Sequence, residues 1–229
     1  PWKPEPPSWR VLVETGDSTQ QVQLADGSTV FLYPNSRLSA ESEFGTSNRH
    51  LKLKGAAYFS VASDSSIPFQ VDQGDFRVEV LGTEFYLLEE GEEQTLYVTE
   101  GSVKYSSLAQ PEGQVVVRPF ETAEAGPSGK ITTKSAEIRL DLPIATPGTL
   151  AFSDTPMREV LGELSQAFHL PLELENPAFG ECLFTGKFPE PTLEKVLKAM
   201  EITFSGDLQI DRFPSKVVLS GNGCAERTP

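Results

Sequence analysis

Seven glutamates fall in one short stretch: Glu79, Glu84, Glu89, Glu90, Glu92, Glu93 and Glu100. Carboxylates at that density could supply a glycosidase pair, in which an acid of raised pKa faces a second carboxylate across the scissile bond. Their placement argues otherwise, because most sit at outward strand positions or in the turn Glu89 to Glu93, where carboxylates are solvated and ordinary. The two histidines, His50 and His169, lie far apart, whereas a metal site takes three or four ligands. His169 fits better at the end of a helix, where a partly positive imidazole meets the negative end of the macrodipole. No GxSxG elbow and no glycine-rich phosphate loop occurs. The expectation is therefore a protein with no catalytic residue, no metal and no cofactor, and not an enzyme.

The elements that carry these residues are mostly strands. From Leu51 to Phe85 apolar residues alternate with polar ones in bursts: Leu51 and Leu53, Phe59 and Val61, Phe69 and Val71, then Phe76, Val78 and Val80. Period two predicts strands with one buried face. Gly55, Asp64 to Ser66, Gln73-Gly74-Asp75 and Gly82 interrupt them where a chain must turn. Before this stretch, Trp9, Val11 and Val13 read as one face of a strand. Val22 to Leu24 and Thr29 to Tyr33 read as a hairpin through Asp26-Gly27. After it, turns recur every eight to twelve residues as far as Val117. The spacing predicts an antiparallel β-sandwich or jelly roll, with a short β-solenoid as the alternative.

The last third reads differently. Met157, Val160, Leu161, Leu164 and Phe168 form a single helical stripe, with Thr155 expected as cap, Pro156 at the first position and Pro171 as stop. Thr192 opens a second helix with the stripe Leu193, Val196, Leu197 and Met200, and Glu194 pairs with Lys198 one turn on. Strands at Thr149 to Phe152 and Leu183 to Phe188 precede the helices, and a hairpin from Leu208–Ile210 to Lys216–Leu219 closes the unit. The pattern predicts a doubled βαβ arrangement with both helices on one face of a mixed sheet. The boundaries read as a spacer over 1–9, a β domain over 10–125, a linker over 126–148 with a strand around Ile138 to Leu142, an α+β domain over 149–224 and a tail over 225–229.

Thirty-three acidic against nineteen basic residues give a net charge of −14, with most of the excess before Ala125. That charge repels phosphate backbones and argues against nucleic acid as a partner. No run approaches the roughly 18 apolar residues of a membrane helix. The opening PWKPEPPSW reads as an extended, proline-rich spacer, the cut end of a longer protein. Cys182 opens one strand of the small sheet and Cys224 follows the last, so neighbouring strands would bring them together. A disulfide is expected, with two buried free thiols as the alternative, and the bond would indicate an oxidising compartment. The segment Leu183, Phe184, Lys187 and Phe188 has two readings: an edge strand open to a partner, or a strand whose aromatics pack beneath the helix stripes. The second is favoured for Phe184 and Phe188. Tyr33, Phe59, Phe69, Phe76, Phe85 and Tyr86 admit a carbohydrate- or small-ligand-binding sandwich, although their alternation favours the core.

The blocks LADGSTVFLYPNSRLSAES, LKGAAYFSVASDSSIPFQV, VLGTEFYL and VTEGSVKY resemble the FecR family in its Bacteroidetes versions. The blocks LAFSDTPMREVLGELSQAFHLPLEL, CLFTGKFPEPTLEKVLKAMEITF and KVVLSGNGC resemble the C-terminal domain of those proteins, which is similar to the short N-terminal signalling domains of secretins and TonB-dependent transporters. The resemblance runs from Val22 to Cys224. It implies the periplasmic sensor part of a single-pass inner-membrane anti-sigma factor. Such a part takes a signal from the N-terminal domain of a TonB-dependent outer-membrane transporter. An ECF sigma factor would then be controlled through a cytoplasmic segment that this sequence does not contain, beyond a membrane helix also outside it.

Overall fold

The computed structural model describes residues 8–135, 149–168, 170–189, 191–204, 207–213, 216–221 and 224. The chain divides at Ser135 into two compact units. The first holds fourteen strands: β1 (Trp9–Glu14), β2 (Gln20–Gln23), β3 (Thr29–Leu32), β4 (Arg37–Glu41), β5 (Arg49–Lys54), β6 (Ala57–Ser60), β7 (Phe69–Gln73), β8 (Phe76–Val80), β9 (Glu84–Glu90), β10 (Glu93–Glu100), β11 (Val103–Ser107), β12 (Val115–Val117), β13 (Glu121–Ala125) and β14 (Ile131–Ser135). They form two seven-stranded sheets, one ordered β1-β4-β5-β7-β8-β11-β12 and the other β2-β3-β6-β9-β10-β13-β14. Every ladder is antiparallel except that between β5 and β7.

Alternate side chains of both sheets meet in one core, because successive side chains of a strand point to opposite faces. Leu38, Leu51, Val71, Val78 and Val103 enter from the first sheet, and Val30, Phe59, Phe85, Leu96 and Ala123 from the second. Phe59 and Phe69 touch edge to face across the layers, 6.1 Å between centroids. This is the layering of the expected sandwich. The order of the strands is serial, whereas a jelly roll would place strands distant in sequence side by side. The chain lays one or two strands in one sheet, crosses, lays one or two in the other, and advances in a single direction, which it shares with a solenoid.

The second sheet departs from simple alternation. Phe31, Tyr58, Tyr86 and Tyr97 stand on its outer face in direct cross-strand register. They too are buried. Strands buried on both faces read as continuous apolar runs, which is why YFS and EFYLL lack a clean period of two.

One charged group ties the layers together. Arg49 of β5 is 2 % exposed. Its Nε donates to Asp26 Oδ2 at 2.7 Å, in the turn between β2 and β3 of the opposite sheet. Its terminal nitrogens donate to the carbonyls of Ala62 at 2.6 Å and Ile67 at 3.2 Å, in the connection from β6 to β7. The guanidinium also lies 5.2 Å from the centre of the Phe69 ring. Asp26 is shaped for this by its own turn, where it accepts from the Ser28 N–H and Gly27 takes φ +87°.

Local differences from the sequence reading have local causes. Trp9, which the sequence places both at the end of the spacer and on the face of a strand, begins β1. A bulge between Val11 and Val13 breaks the strand's alternation and leaves Val11 half-exposed rather than in line with its neighbours. Ile131–Ser135, expected in the linker, pairs with β13 and belongs to the first unit. Arg118 to Glu121 forms a tight turn with Pro119 and Phe120 at its centre, closed by Glu121 N–H to Arg118 C=O at 3.0 Å. Phe120 takes φ +63°, a conformation usually left to glycine. The expected strand around Ile138 to Leu142, His169 and the tail 225–229 lie outside the described residues.

The second unit contains β15 (Thr149–Pro156), α1 (Met157–Phe168), β16 (Leu172–Leu174), β17 (Leu183–Pro189), α2 (Leu193–Thr203), β18 (Leu208–Phe213) and β19 (Lys216–Gly221). Both helical stripes are buried as expected. The strands form two sheets rather than one mixed sheet: an antiparallel pair β15-β17, and β16-β19-β18 with β16 parallel to β19. Thr192 caps α2, its hydroxyl accepting from the Lys195 N–H. Thr155 does not serve α1, because β15 continues through it and its hydroxyl accepts from the Ser153 N–H. The Met157 N–H is satisfied instead by the Cys182 carbonyl at 2.8 Å. Lys198 pairs with Glu201 at 3.3 Å, and no pair with Glu194 occurs among the described residues; Glu201 also lies 3.9 Å from Arg212 of β18.

Cys182 and Cys224 are bonded, with Cα atoms 5.4 Å apart. The bridge ties the chain beyond β19 to the junction of α1 and β17. Closing a loop of 42 residues removes about 4 kcal/mol of unfolded-chain entropy.

Four outcomes follow from these contacts. Asp26→Ala strands a buried guanidinium, so urea unfolding of the first unit should lose about 3–5 kcal/mol. Phe120→Gly relieves the left-handed conformation and should raise the same unit's stability by up to about 1 kcal/mol. Titration of the folded chain with a thiol reagent should find no free thiol until a reductant is added under denaturing conditions. Cys224→Ser should lower the second unit's stability by about 4 kcal/mol.

Candidate interaction surfaces

The two-stranded sheet of the second unit presents an edge. Among the described residues β17 pairs only with β15, so one row of its backbone groups is open to another strand. The four residues singled out in this strand separate by face. Leu183 is 55 % exposed and Lys187 is also exposed. Phe184 is buried, with its ring 5.9 Å from Phe152 and 6.4 Å from Phe204. Phe188 is half-buried and stacks on Phe184 at 6.2 Å, over Gly186, where a Cβ would fall 2.8 Å from the Phe188 ring. Packing claims the aromatics, and Leu183 and Lys187 are the residues a partner can reach. Beside β18, whose outer edge is also open among the described residues, α2 borders a cleft of about 790 Å³ lined by Lys195, Lys198, Glu201 and Arg212.

Three of the seven carboxylates, Glu79, Glu84 and Glu89, have structural roles. Glu79 accepts from Gln70 at 3.1 Å and Lys104 at 3.0 Å. The Gln70 hydrogen bond, opposed by partial burial and helped by Lys104, holds it below the usual carboxylate range, the reverse of what a general acid needs. Glu84 accepts from the Tyr58 hydroxyl at 2.7 Å and Ser60 at 3.1 Å, and Glu89 from the Gly55 N–H at 2.6 Å. Gly55, at φ +90°, packs its α-carbon against Ser36 where no side chain fits. Among the described residues no group of three or more His, Cys, Asp or Glu is placed to hold a metal ion. Tyr33, Phe59, Phe69, Phe76, Phe85 and Tyr86 are each buried, so none offers a ring face to a sugar.

One cluster escaped the sequence reading. On the outer face of the first sheet, His50 of β5 places Nδ1 2.7 Å from Glu41 Oε2 of β4 and Nε2 2.9 Å from Asp72 Oδ2 of β7. Arg77 of β8 donates to both Asp72 oxygens, at 2.6 and 2.9 Å. Burial pushes the Asp72 carboxyl up, but hydrogen bonds from His50 and Arg77 outweigh it and hold it at about 2. Burial pushes His50 down, and the flanking Asp72 and Glu41 outweigh that to raise it. No signal in the sequence joins these four residues, because cross-strand register alone brings them together.

Comparison with known proteins covers both units. Residues 11–104 match the family model described as FecR protein, and residues 149–212 match the one described as FecR, C-terminal. Two crystal structures of a candidate anti-sigma factor from Parabacteroides distasonis ATCC 8503, at 2.50 and 1.65 Å resolution, share the fold. Each has a TM-score of 0.52 and 24 % sequence identity. The matches cover 94 % and 93 % of this chain and all of theirs. No curated protein matches the chain. With one model on each unit, in the order the blocks follow along the sequence, the chain belongs to the FecR family.

Proposed function

We propose that the chain is the periplasmic sensor region of a transmembrane anti-sigma factor, a binding protein that relays a signal from a TonB-dependent outer-membrane transporter to an ECF sigma factor. The observation that carries this reading is the succession of a FecR domain and a FecR C-terminal domain in one chain. The fold shared with a candidate anti-sigma factor supports it. The Cys182–Cys224 bond supports an oxidising compartment, since cytosolic thiols are kept reduced. Among the described residues no helix is long and apolar enough to cross a membrane.

The transporter's N-terminal signalling domain would dock on the second unit by strand addition to β17. There the open backbone edge supplies affinity, and Leu183 and Lys187 supply selectivity. Titration calorimetry of the chain against the signalling domain of the transporter encoded beside it should give micromolar binding. The double variant Leu183→Glu, Lys187→Glu should weaken it at least about tenfold, a loss of about 1.4 kcal/mol. Absence of binding at high micromolar concentration, with both proteins shown to be folded, would overturn the reading. Binding unaffected by the double variant would move the site from β17.

A further inference from the structure

We propose that His50 is a proton-operated clasp for the edge strand β1, closed when the imidazole carries both protons and open when it has lost one. Two hydrogen-bonded arrangements are available to the same side chains. Both ring nitrogens face carboxylate oxygens, Glu41 at 2.7 Å and Asp72 at 2.9 Å, and a ring that donates to both is an imidazolium. In this state it links β4 to β7 across β5, at the one parallel ladder of the sheet. When the Nε2 proton leaves to solvent, a lone pair faces the Asp72 oxygen and the two repel. The Arg77 terminal nitrogen lies 3.2 Å from Nε2, close enough to donate to that lone pair. The neutral ring then keeps Nδ1–H on Glu41, and Arg77 is divided between Nε2 and Asp72.

The readout is β1. Among the described residues this strand lies at the sheet edge and has β4 as its only ladder, and it carries a bulge at Val11 and Val13. Its added anchor is Trp9, whose ring meets His50 edge-on at 5.0 Å and lies 4.0 Å beneath the Lys52 ammonium. A cation over an indole face is attracted by the ring's negative quadrupole, and an imidazolium held between two carboxylates keeps the ring plane fixed against Trp9. The charged groups around the ring are Glu41 on β4, Lys52 on β5, Asp72 on β7, and Arg77 and Glu79 on β8, with Glu79 committed to Lys104 of β11. β1 also forms one wall of a groove of about 780 Å³ bordered by Leu12, Val22, Leu24, Glu41, Glu43 and Phe44, so its release widens an opening of mixed polar and apolar lining between the two sheets.

The sign is set by the raised histidine. Its contribution is complete below the unfolded value near 6.5 and is lost as pH rises through the folded value. Asp72, depressed to about 2, stays ionised throughout this window and gives up its share only under strong acid. The test is an NMR titration of the His50 ring in the whole chain from about pH 5 to 9, with amide exchange at Arg10 and Val13, which pair with Ala40 and Leu38 of β4, followed in parallel. The expected midpoint lies above about 6.5, and Glu41→Gln and Asp72→Asn each lower it. After correction for intrinsic exchange, Arg10 and Val13 should exchange at least about tenfold faster above the midpoint, while Val116 in the opposite edge strand β12 does not change. His50→Gln should exchange at the faster rate at every pH. If that variant fails to fold, Glu41→Gln, which keeps the ring, should move the onset of β1 release to lower pH. A midpoint at or below about 6.5, or exchange of β1 that ignores the ring's titration, would overturn the proposal.

Discussion

The two layers of the β unit are pinned by the buried pair of Arg49 and Asp26. Apolar packing alone sets no register between sheets, because alternating side chains mesh at more than one offset. A guanidinium has fixed directions, and here Asp26, Ala62 and Ile67 lie where those directions lead. Leaving the charge without these acceptors costs several kcal/mol. Any sliding of the β2–β3 turn or of the β6–β7 connection relative to β5 would do that. The pair therefore selects one alignment from several that hydrophobic burial would tolerate, and Phe59 and Phe69 can then meet across the layers at a single spacing.

How much of this was legible in the sequence depended on the range of each interaction. Alternation at Leu51 and Leu53, or Phe76, Val78 and Val80, is a local property and marked the strands directly. The Asp26-Gly27 turn and the Thr192 cap were equally local. Alternation failed at Phe31, Tyr58, Tyr86 and Tyr97, where the outer face is buried as well. The βαβ reading placed strands and helices, yet a strand's sheet membership is decided by its partners, so β15 and β17 separated from β16, β18 and β19. The Glu41, His50, Asp72 and Arg77 network was invisible because its members come from four strands and meet only through ladder register. Phe120 at positive φ was also unreadable, since its residue type argues against the conformation that Pro119 and the Arg118–Glu121 hydrogen bond impose.

The second unit solves a different problem. Its sheets of two and three strands each leave edges open among the described residues, and a two-stranded pair is not stable without packing against a helix. Stability comes from the helical stripes and from the Cys182–Cys224 bond, which fastens the end of β19 to the place where α1 begins and β17 starts. A small unit held by its helices and a covalent tie can keep strand edges available. The larger unit guards its first edges with the bulge in β1 and the brevity of β2. Exposed Leu183 on β17 is consistent with that division of labour.

The serial winding of the β unit has a mechanical consequence. The chain enters at β1 and β2 at one end of both sheets and leaves by β14 at the other. Six inter-strand spacings of about 4.8 Å separate those ends, roughly 29 Å across a seven-stranded sheet. Tension between the two ends would pull across the strands, along the hydrogen bonds, and such ladders unzip one at a time instead of shearing together. A unit wound in this way would lengthen in steps from its extremities inward, with the Arg49–Asp26 pin determining where the first step stops.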